Sequence, residues 1–573
     1  MVKKYSLLYP KKNVEYKTLS PVSMHDLGLD NIIRQLSVKE AEQNMIMNIM
    51  SRMCADTYVI KYRCDIFEDI INNKKLREEL MTVLDKINFL KNYGGLSREI
   101  DDGSNVWNLM HRLDEINDYI NCVDMLHDCM LNAGIKSDGL TGLREYIEEI
   151  YKDNGFGELK KDIMGLKFDT SELKSITVGI NLNDRFEANG IGLISINNKQ
   201  FTKSSVLSNF CDHIASKDRI NKDTEWKDNY KYHPIEQSDL NAALDTMNRV
   251  STISVGMRNP IYAPVGVASV ADSDSTKDVT HYMDRIVNQM VSGIVKNLKS
   301  VLAKYVSVTI TNMTDLIPEL LYYIKWAEYI EAKMSKGAIF SKPSVMEDTL
   351  ADKYLVRARG IYNIKLAAYD NKESEAIVTN DFDFDKEHRL YILTGANRGG
   401  KTTITQAVGQ LFVLAQGGIY IPGDGFDFSP IDCVYTHFPA DEDKTFDLGR
   451  LGEECKRFKE MYSEATDKSL LLMNETFSTT SFEEGYYIAK DCVKAILNRG
   501  IRTIYNTHMH KLAYDVDEIN EDMTEAMAYS MIVRNEGEKR SYKVEVAPPC
   551  GKSFASDIAK KYGVTYEMLS SLT

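Results

Sequence analysis

Residues 390–418 restrict the fold of this chain more tightly than any other stretch. The run LYILTG, Leu390 to Gly395, is apolar and short enough for a buried strand. TTITQAVGQLFVLAQGG, from Thr402, repeats apolar residues at helical spacing until Gly417 and Gly418. Between them stand Gly395, four residues, Gly400, Lys401 and Thr402. Glycines at such a turn let backbone N–H groups curl around a phosphate at the positive end of the following helix. A lysine there reaches the β- and γ-phosphates, and the threonine hydroxyl can bind Mg²⁺. The spacing predicts a nucleotide-binding domain of α/β class.

Two further strand-like runs follow at the distances such a domain needs. SLLLMNETFSTTS (469–481) is an apolar run ending in Asn474 and Glu475. A P-loop ATPase places its Mg²⁺-supporting acid and its water-activating carboxylate at such a strand end. RTIYNTHMH (502–510) is a short strand followed by His508, positioned to meet a γ-phosphate or the attacking water.

The remainder of the 573 residues is too long for one ordinary domain. From about Asp26 to Leu173 apolar residues recur three or four apart, and a long helical section resumes at about Val279, with an apolar stripe from Ile286 to Tyr305. After Thr314 and Pro318, ELLYYIKWAEYIEAKMSKG predicts another helix ending at Gly337. Between these stretches SITVGINLNDRFEANGIGLISIN alternates apolar and polar residues around Gly and Asn, which predicts strands joined by a turn. The segment 216–234 mixes basic residues with Trp226, Tyr230 and Tyr232, a mixture that suits a nucleic-acid surface, but four acidic residues nearly cancel its charge and favour a solvated helix face. The segment 259–278 is turn-rich and reads as a connection.

A net charge of −14 argues against an all-over electrostatic grip on nucleic acid while leaving room for a local basic surface. Nine scattered cysteines form no C-x-x-C pair, as in reduced cytoplasmic proteins. No apolar run has the ~18 residues a bilayer span needs, and the start lacks a signal-peptide core, so a cytoplasmic, membrane-free protein is expected.

Taken in order, TGANRGGKTT, GGIYIPGDGFDFSPIDCVYTHFPADED, GRLGEE, NETFSTTSFEEG, YNTHMHKL and GKSFASDIAKKYGV resemble the C-terminal domain of the MutS family of DNA mismatch-repair ATPases, within the ABC-type ATPases. The resemblance covers about residues 355–570. It implies a C-terminal α/β P-loop (ABC-type) ATPase domain, preceded by a mainly α-helical core and lever region with a small β-containing, clamp-like insertion. The boundaries expected are an N-terminal segment 1–25, helical core 26–173, clamp-like and mobile region 174–278, helical lever 279–345 and ATPase domain 346–573.

The resemblance also implies site residues. Gly395, Ala396, Asn397, Arg398, Gly399, Gly400, Lys401, Thr402 and Thr403 would hold the phosphates of ATP. Thr402, Asn474 and Glu475 would serve Mg²⁺, with Glu475 as general base, His508 as γ-phosphate switch and Lys401 stabilising charge. Gly449, Arg450, Gly452 and Glu453 would offer a helix N-terminus to the nucleotide of a partner subunit, and Thr480 and Ser481 would lie in the crossing loop. Two sites would thus form across a homodimer. Three departures stand out. Asn474 occupies the usual aspartate position, GRLGEE replaces a Ser-Thr-Phe signature, and Ile377 stands where an aromatic ring commonly stacks on adenine, with Tyr362 and Asn363 expected nearby.

The mismatch-reading Phe-x-Glu wedge of the family has no counterpart outside IFED (Ile66 to Asp69), which lies in a helical pattern, so a short form without direct mismatch readout is expected. The leading expectation is a slow, ligand-regulated ATPase that clamps or senses double-stranded or branched DNA. The alternative is a nucleotide-gated scaffold with weak hydrolysis that binds a protein or structured RNA. A transport-type ATPase subunit is disfavoured, because the chain carries its own helical arms and no membrane-coupling segment.

Overall fold

The structure is a computed structural model. It describes residues 5–93, 106–165, 175–197, 316–347, 353–368, 377–395, 399–439, 449–478, 481–549 and 563–570, apart from positions 12, 153, 183, 185–187 and 537–538. By its contacts the chain divides into two units. One comprises residues 1–88, 125–149 and 311–573, and the other residues 89–124 and 150–310.

The first unit is organised by a six-stranded sheet. Its spatial order is Val434–His437, Leu470–Asn474, Arg502–Asn506, His388–Thr394, Met527–Glu536 and Lys539–Val546. The first five strands run parallel, and the last is an antiparallel edge. Parallel strands covered on both faces read as continuous apolar runs, and Leu470–Asn474 is accordingly buried at every position. A second, four-stranded sheet joins Ser344–Val345, Gly425–Phe428, Val356–Ile361 and Asn380–Phe384, mostly antiparallel. Helix Lys401–Gln416 lies between packed layers, so thirteen of its residues are buried, including Lys401, Thr405, Gln410 and Gln416.

The end of that helix is tied to the N-terminal part of the chain. A helix terminus leaves carbonyls without intrahelical partners. Arg63, buried in helix Thr57–Asn72, donates to Gln416 O at 2.9 Å and to Leu8 O at 2.9 Å. Tyr322 of helix Leu316–Met334 donates to Gly417 O at 3.0 Å. The Gln416 side chain donates to Cys54 O and Ile431 O. Gly418 adopts φ +83°, and a Cβ there would lie 2.4 Å from Arg63 Cβ, so only glycine allows this approach. Residues 5–72 therefore belong to the same packed body as the phosphate loop.

Several sequence readings carry through with adjusted boundaries. The first helical stretch is interrupted, with helices Leu29–Leu36 and Glu40–Met50 separated at Ser37, which is extended. Helix Leu316–Met334 carries Pro318 in its first turn, where the missing N–H costs no intrahelical bond. Phe67 of the IFED sequence is fully buried within helix Thr57–Asn72, packed edge-on to Tyr420.

In the second unit, strands Ser175–Leu182 and Ala188–Asn197 pair antiparallel, Ile180 opposite Ile191, as the alternation predicts. The segments 216–234 and 259–278 and the stripe from Ile286 to Tyr305 lie outside the described residues. Among the described residues no helix is long and apolar enough to cross a membrane.

Candidate functional site at the strand ends

Strand His388–Thr394 is buried from Arg389 onward, and the chain leaves it through Gly395 at φ +145°. Gly400, at φ +92°, forms the N-cap of the helix that begins at Lys401. That left-handed conformation is strained for residues with a Cβ and lets the backbone fold back over the helix end. Ala396, Asn397 and Arg398 lie outside the described residues; Gly399 precedes the N-cap, and Thr402 and Thr403 lie in the first turn of the helix. Lys401 is only 5% exposed, and its Nζ donates to Gly395 O at 3.0 Å. Burial pushes its pKa below the usual lysine value, and the negative charge of Glu475 opposes that shift.

Sheet order brings the other two strand ends beside this loop. Asn474 is in register with Asn506, and Asn506 with Leu393. In a parallel sheet the residues just past that row emerge together at the carboxyl edge, where ligands of open α/β folds bind. Thr402 Oγ1 donates to Asn474 Oδ1 at 3.0 Å. Asn506 Nδ2 donates to Asn474 Oδ1 as well, and lies 3.4 Å from Thr402 Oγ1. The next residue, Glu475, takes φ +52°, an uncommon conformation for a residue with a Cβ, and its N–H donates to Asn506 O at 2.8 Å. The turn aims its carboxylate at His508, with Oε1 2.7 Å from His508 Nε2. That hydrogen bond holds the Glu475 pKa below the usual carboxylate value, against a rise from partial burial and with help from Lys401. Glu475 is therefore ionised at neutral pH and can accept a proton from water.

The helix and loop expected to cross between subunits are described in part. Helix Gly449–Glu464 carries Gly449, Arg450, Gly452 and Glu453 in its opening turns. Glu454 Oε2 accepts the N–H of Phe477 at 2.8 Å, which fixes the loop after Glu475, where Phe477 also has positive φ. Ser481 caps helix Phe482–Arg499 by accepting from Glu484 N, and Phe482 and Tyr487 beside it are exposed. Thr480 lies outside the described residues. Ile377 is half-buried ahead of strand Asn380–Phe384. Tyr362 and Asn363 are buried in packing roles: Tyr362 OH donates to Ile339 O, and Asn363 Nδ2 donates to Thr403 O and Gln406 Oε1.

Sequence reasoning passed over Asn506, Glu454 and His437. His437 ends the outer parallel strand, buried, with Nδ1 3.1 Å from Thr476 Oγ1 and Nε2 3.1 Å from Glu454 O. Burial, aided by the charge of Arg457, pushes its pKa down to about 4. The sign of the linkage follows. The unfolded chain, with an ordinary histidine near 6.5, binds the extra proton between pH 6.5 and 4, so folding stability falls as pH drops through that window. His437→Gln is expected to remove up to ~1.4 kcal/mol per pH unit of this slope, read from denaturant midpoints between pH 7 and 5. An identical slope in the variant would show that His437 titrates normally.

Among the described residues no three His, Cys, Asp or Glu side chains gather to hold a metal by themselves. The donor set is instead a hydroxyl, an amide oxygen and a carboxylate, all hard oxygen ligands. It fits Mg²⁺ arriving on a nucleotide's phosphates, an ion that keeps several waters and takes few protein ligands.

The chain matches two family models. Residues 391–571 match the family model for MutS domain V, and residues 55–336 match that for the MutS2 N-terminal domain. The chain is 26% identical over 299 residues to the Endonuclease MutS2 of Caldicellulosiruptor bescii, covering 52% of this chain and 37% of that protein. It is 27% identical over 192 residues to the Endonuclease MutS2 of Thermus thermophilus, covering 34% of this chain and 25% of that protein. It is 26% identical over 243 residues to the DNA mismatch repair protein MutS of Methanosarcina mazei, covering 42% of this chain and 26% of that protein. The matched regions thus span 25% to 37% of these relatives' lengths.

Proposed function

The chain belongs to the MutS family, and from that premise we propose that it is an ATP-hydrolysing homodimer coupling nucleotide state to the clamping or sensing of DNA structure. The observation that carries the reading is the convergence, at one sheet edge, of buried Lys401, the Thr402–Asn474 pair and the Glu475–His508 contact. Such a set can bind a nucleoside triphosphate and activate a water for in-line attack.

Lys401 and the loop N–H groups stabilise phosphate charge, and Glu475 takes the proton of the attacking water. His508 orients that carboxylate and meets the γ-phosphate. Thr402 and the Asn474 that holds its hydroxyl would serve a Mg²⁺ ion brought by the nucleotide, which would supply neutralisation of phosphate charge. The helix opening at Gly449, with Arg450, Gly452 and Glu453, and the loop at Thr480 and Ser481 complete the site of a second copy. The relatives' names, Endonuclease MutS2 and DNA mismatch repair protein MutS, support DNA as the ligand. Contact would be to the phosphate backbone through lysines near 196–235, without base readout.

Steady-state ATP hydrolysis with and without duplex, branched and mismatched DNA, at two salt concentrations, tests the reading. A salt-sensitive change in rate is expected. A measurable rate indifferent to every DNA would remove the DNA part of the proposal.

Asn474 favours a second reading, in which hydrolysis is slow and nucleotide binding gates a protein or structured RNA partner. An amide supplies no negative charge to the metal shell. Asn474→Asp is therefore expected to lower the Mg²⁺ concentration needed for half-maximal nucleotide binding by about tenfold. An unaltered Mg²⁺ titration would mean that position 474 does not sense the metal.

A further inference from the structure

We propose that Glu454 is a positioning residue that holds the base Glu475 in its working geometry and ties it to helix Gly449–Glu464; this rests on the ATPase reading above. The turn after strand Leu470–Asn474 is an unfavourable one. Glu475 takes φ +52° and Phe477 φ +62°, a left-handed conformation that residues with a Cβ rarely adopt. Two such residues so close together persist only where their surroundings over-determine them. The carboxylate of Glu475 meets His508 only while the turn keeps this shape. Whatever holds the turn therefore places the base.

Two of the holds come from the sheet. The Glu475 N–H donates to Asn506 O at 2.8 Å, and Tyr505 OH donates to Thr476 O at 2.9 Å. Others come from helix Gly449–Glu464. Glu454 Oε2 accepts the Phe477 N–H at 2.8 Å, a hydrogen bond strengthened by the carboxylate's charge. Phe458, about one turn further along the helix, packs edge-on against the buried Phe477 ring at 5.9 Å. Glu454 O lies 3.1 Å from His437 Nε2. A carbonyl only accepts, so that nitrogen carries the proton of the neutral ring, and Nδ1 is left as an acceptor 3.1 Å from Thr476 Oγ1. Glu454 thus grips the turn twice, at Phe477 directly and at Thr476 through His437. The main-chain grip survives a substitution at 454, and the carboxylate grip does not. The helix whose opening turns are assigned to a second copy's nucleotide therefore bears on the turn that carries the base.

Steady-state ATP hydrolysis and calorimetric ATP titration test this, with folding checked by thermal melting. Glu454→Ala is expected to lower kcat about a hundredfold, the cost of misplacing a reacting group by about 1 Å, while ATP affinity stays unchanged. Glu454→Asp keeps the charge but withdraws the acceptor by one methylene, and should show a similar loss. Glu454→Gln keeps an acceptor oxygen at the same reach and should restore most of the rate. In a Glu475→Ala background, Glu454→Ala should cost nothing more, because a residue that acts through the base has no effect once the base is gone. Wild-type kcat in folded Glu454→Ala and Glu454→Asp overturns the assignment of Glu454 alone. An undiminished loss in the Glu475→Ala background also overturns it, since a merely structural role predicts that pattern. A wild-type protein that neither binds nor hydrolyses ATP overturns the ATPase reading itself, and this inference with it.

Discussion

Lys401→Ala is expected to raise the dissociation constant for ATP by about a hundredfold or more, taking binding out of the range of ordinary titration. Lys401 opens the helix whose N-cap is Gly400 at φ +92°, and its ammonium is held at the loop by Gly395 O. A charge-assisted contact to phosphate in a water-poor site is worth about 3 kcal/mol, which sets the hundredfold figure. The variant should fold normally. Burial already lowers the Lys401 pKa, so the fold carries a desolvation cost for this charge that alanine removes. The loss therefore falls on ligand binding and not on stability, and thermal melting beside calorimetry separates the two. Unchanged ATP affinity in a folded variant would sink the phosphate-loop assignment, and with it the reading of every residue placed around it.

What the sequence disclosed and what it withheld divide along contact distance. The strand, turn and helix around Lys401 were legible because each signal is local: an apolar run, glycines at the bends, then helical spacing. The same holds for the antiparallel strands Ser175–Leu182 and Ala188–Asn197. The break at Ser37 is an exception that went unread although its signal is local: SVKE carries the Ser-x-x-Glu pattern of a helix start, and Ser37 Oγ accepts the Lys39 N–H. Sheet order was beyond pattern reading. The strand ending at Asn474 adjoins that ending at Asn506, which in turn adjoins the strand ending at Thr394, far earlier in the chain.

That order is why the partners of the site residues went unseen. Glu475 and His508 were each singled out for their place after a strand, yet only parallel neighbours in register make them touch. Asn506 read as one more polar residue in YNTHMH until the register set it against Asn474. The Arg63 anchor on Gln416 O joins residues 353 positions apart, and nothing local marks it. By contrast, Glu454 had a partial signal, since it lies in the opening turns of the helix already suspected of facing a nucleotide; its hold on Phe477 N was the missing half.

Glu475→Ala is expected to bind ATP with near wild-type affinity, lose hydrolysis by about 10²- to 10⁴-fold, and accumulate as an ATP-bound dimer. The geometry separates these effects. On the proposed reading ATP would be gripped by the loop, Lys401 and the helix N-terminus, with Lys401 Nζ held by Gly395 O and not by the Glu475 carboxylate. The carboxylate instead lies past the strand end, on a residue held at φ +52° by its N–H bond to Asn506 O. Its hydrogen bond to His508 keeps it ionised, the form that accepts the proton of water as the γ-phosphoryl group departs. Without it, on the proposed mechanism, the water could still enter but no group would remove its proton, so the triphosphate would persist and the two copies it is proposed to bridge would stay together. Light scattering with excess Mg²⁺-ATP should give twice the protomer mass for the variant over times in which wild type has returned to its nucleotide-free state. Wild-type turnover in Glu475→Ala would remove Glu475 as the base. A wild-type protein already as slow as the variant, and equally long-lived as an ATP-bound dimer, would turn the balance to the gated scaffold that Asn474 favours, with hydrolysis too slow to drive a cycle.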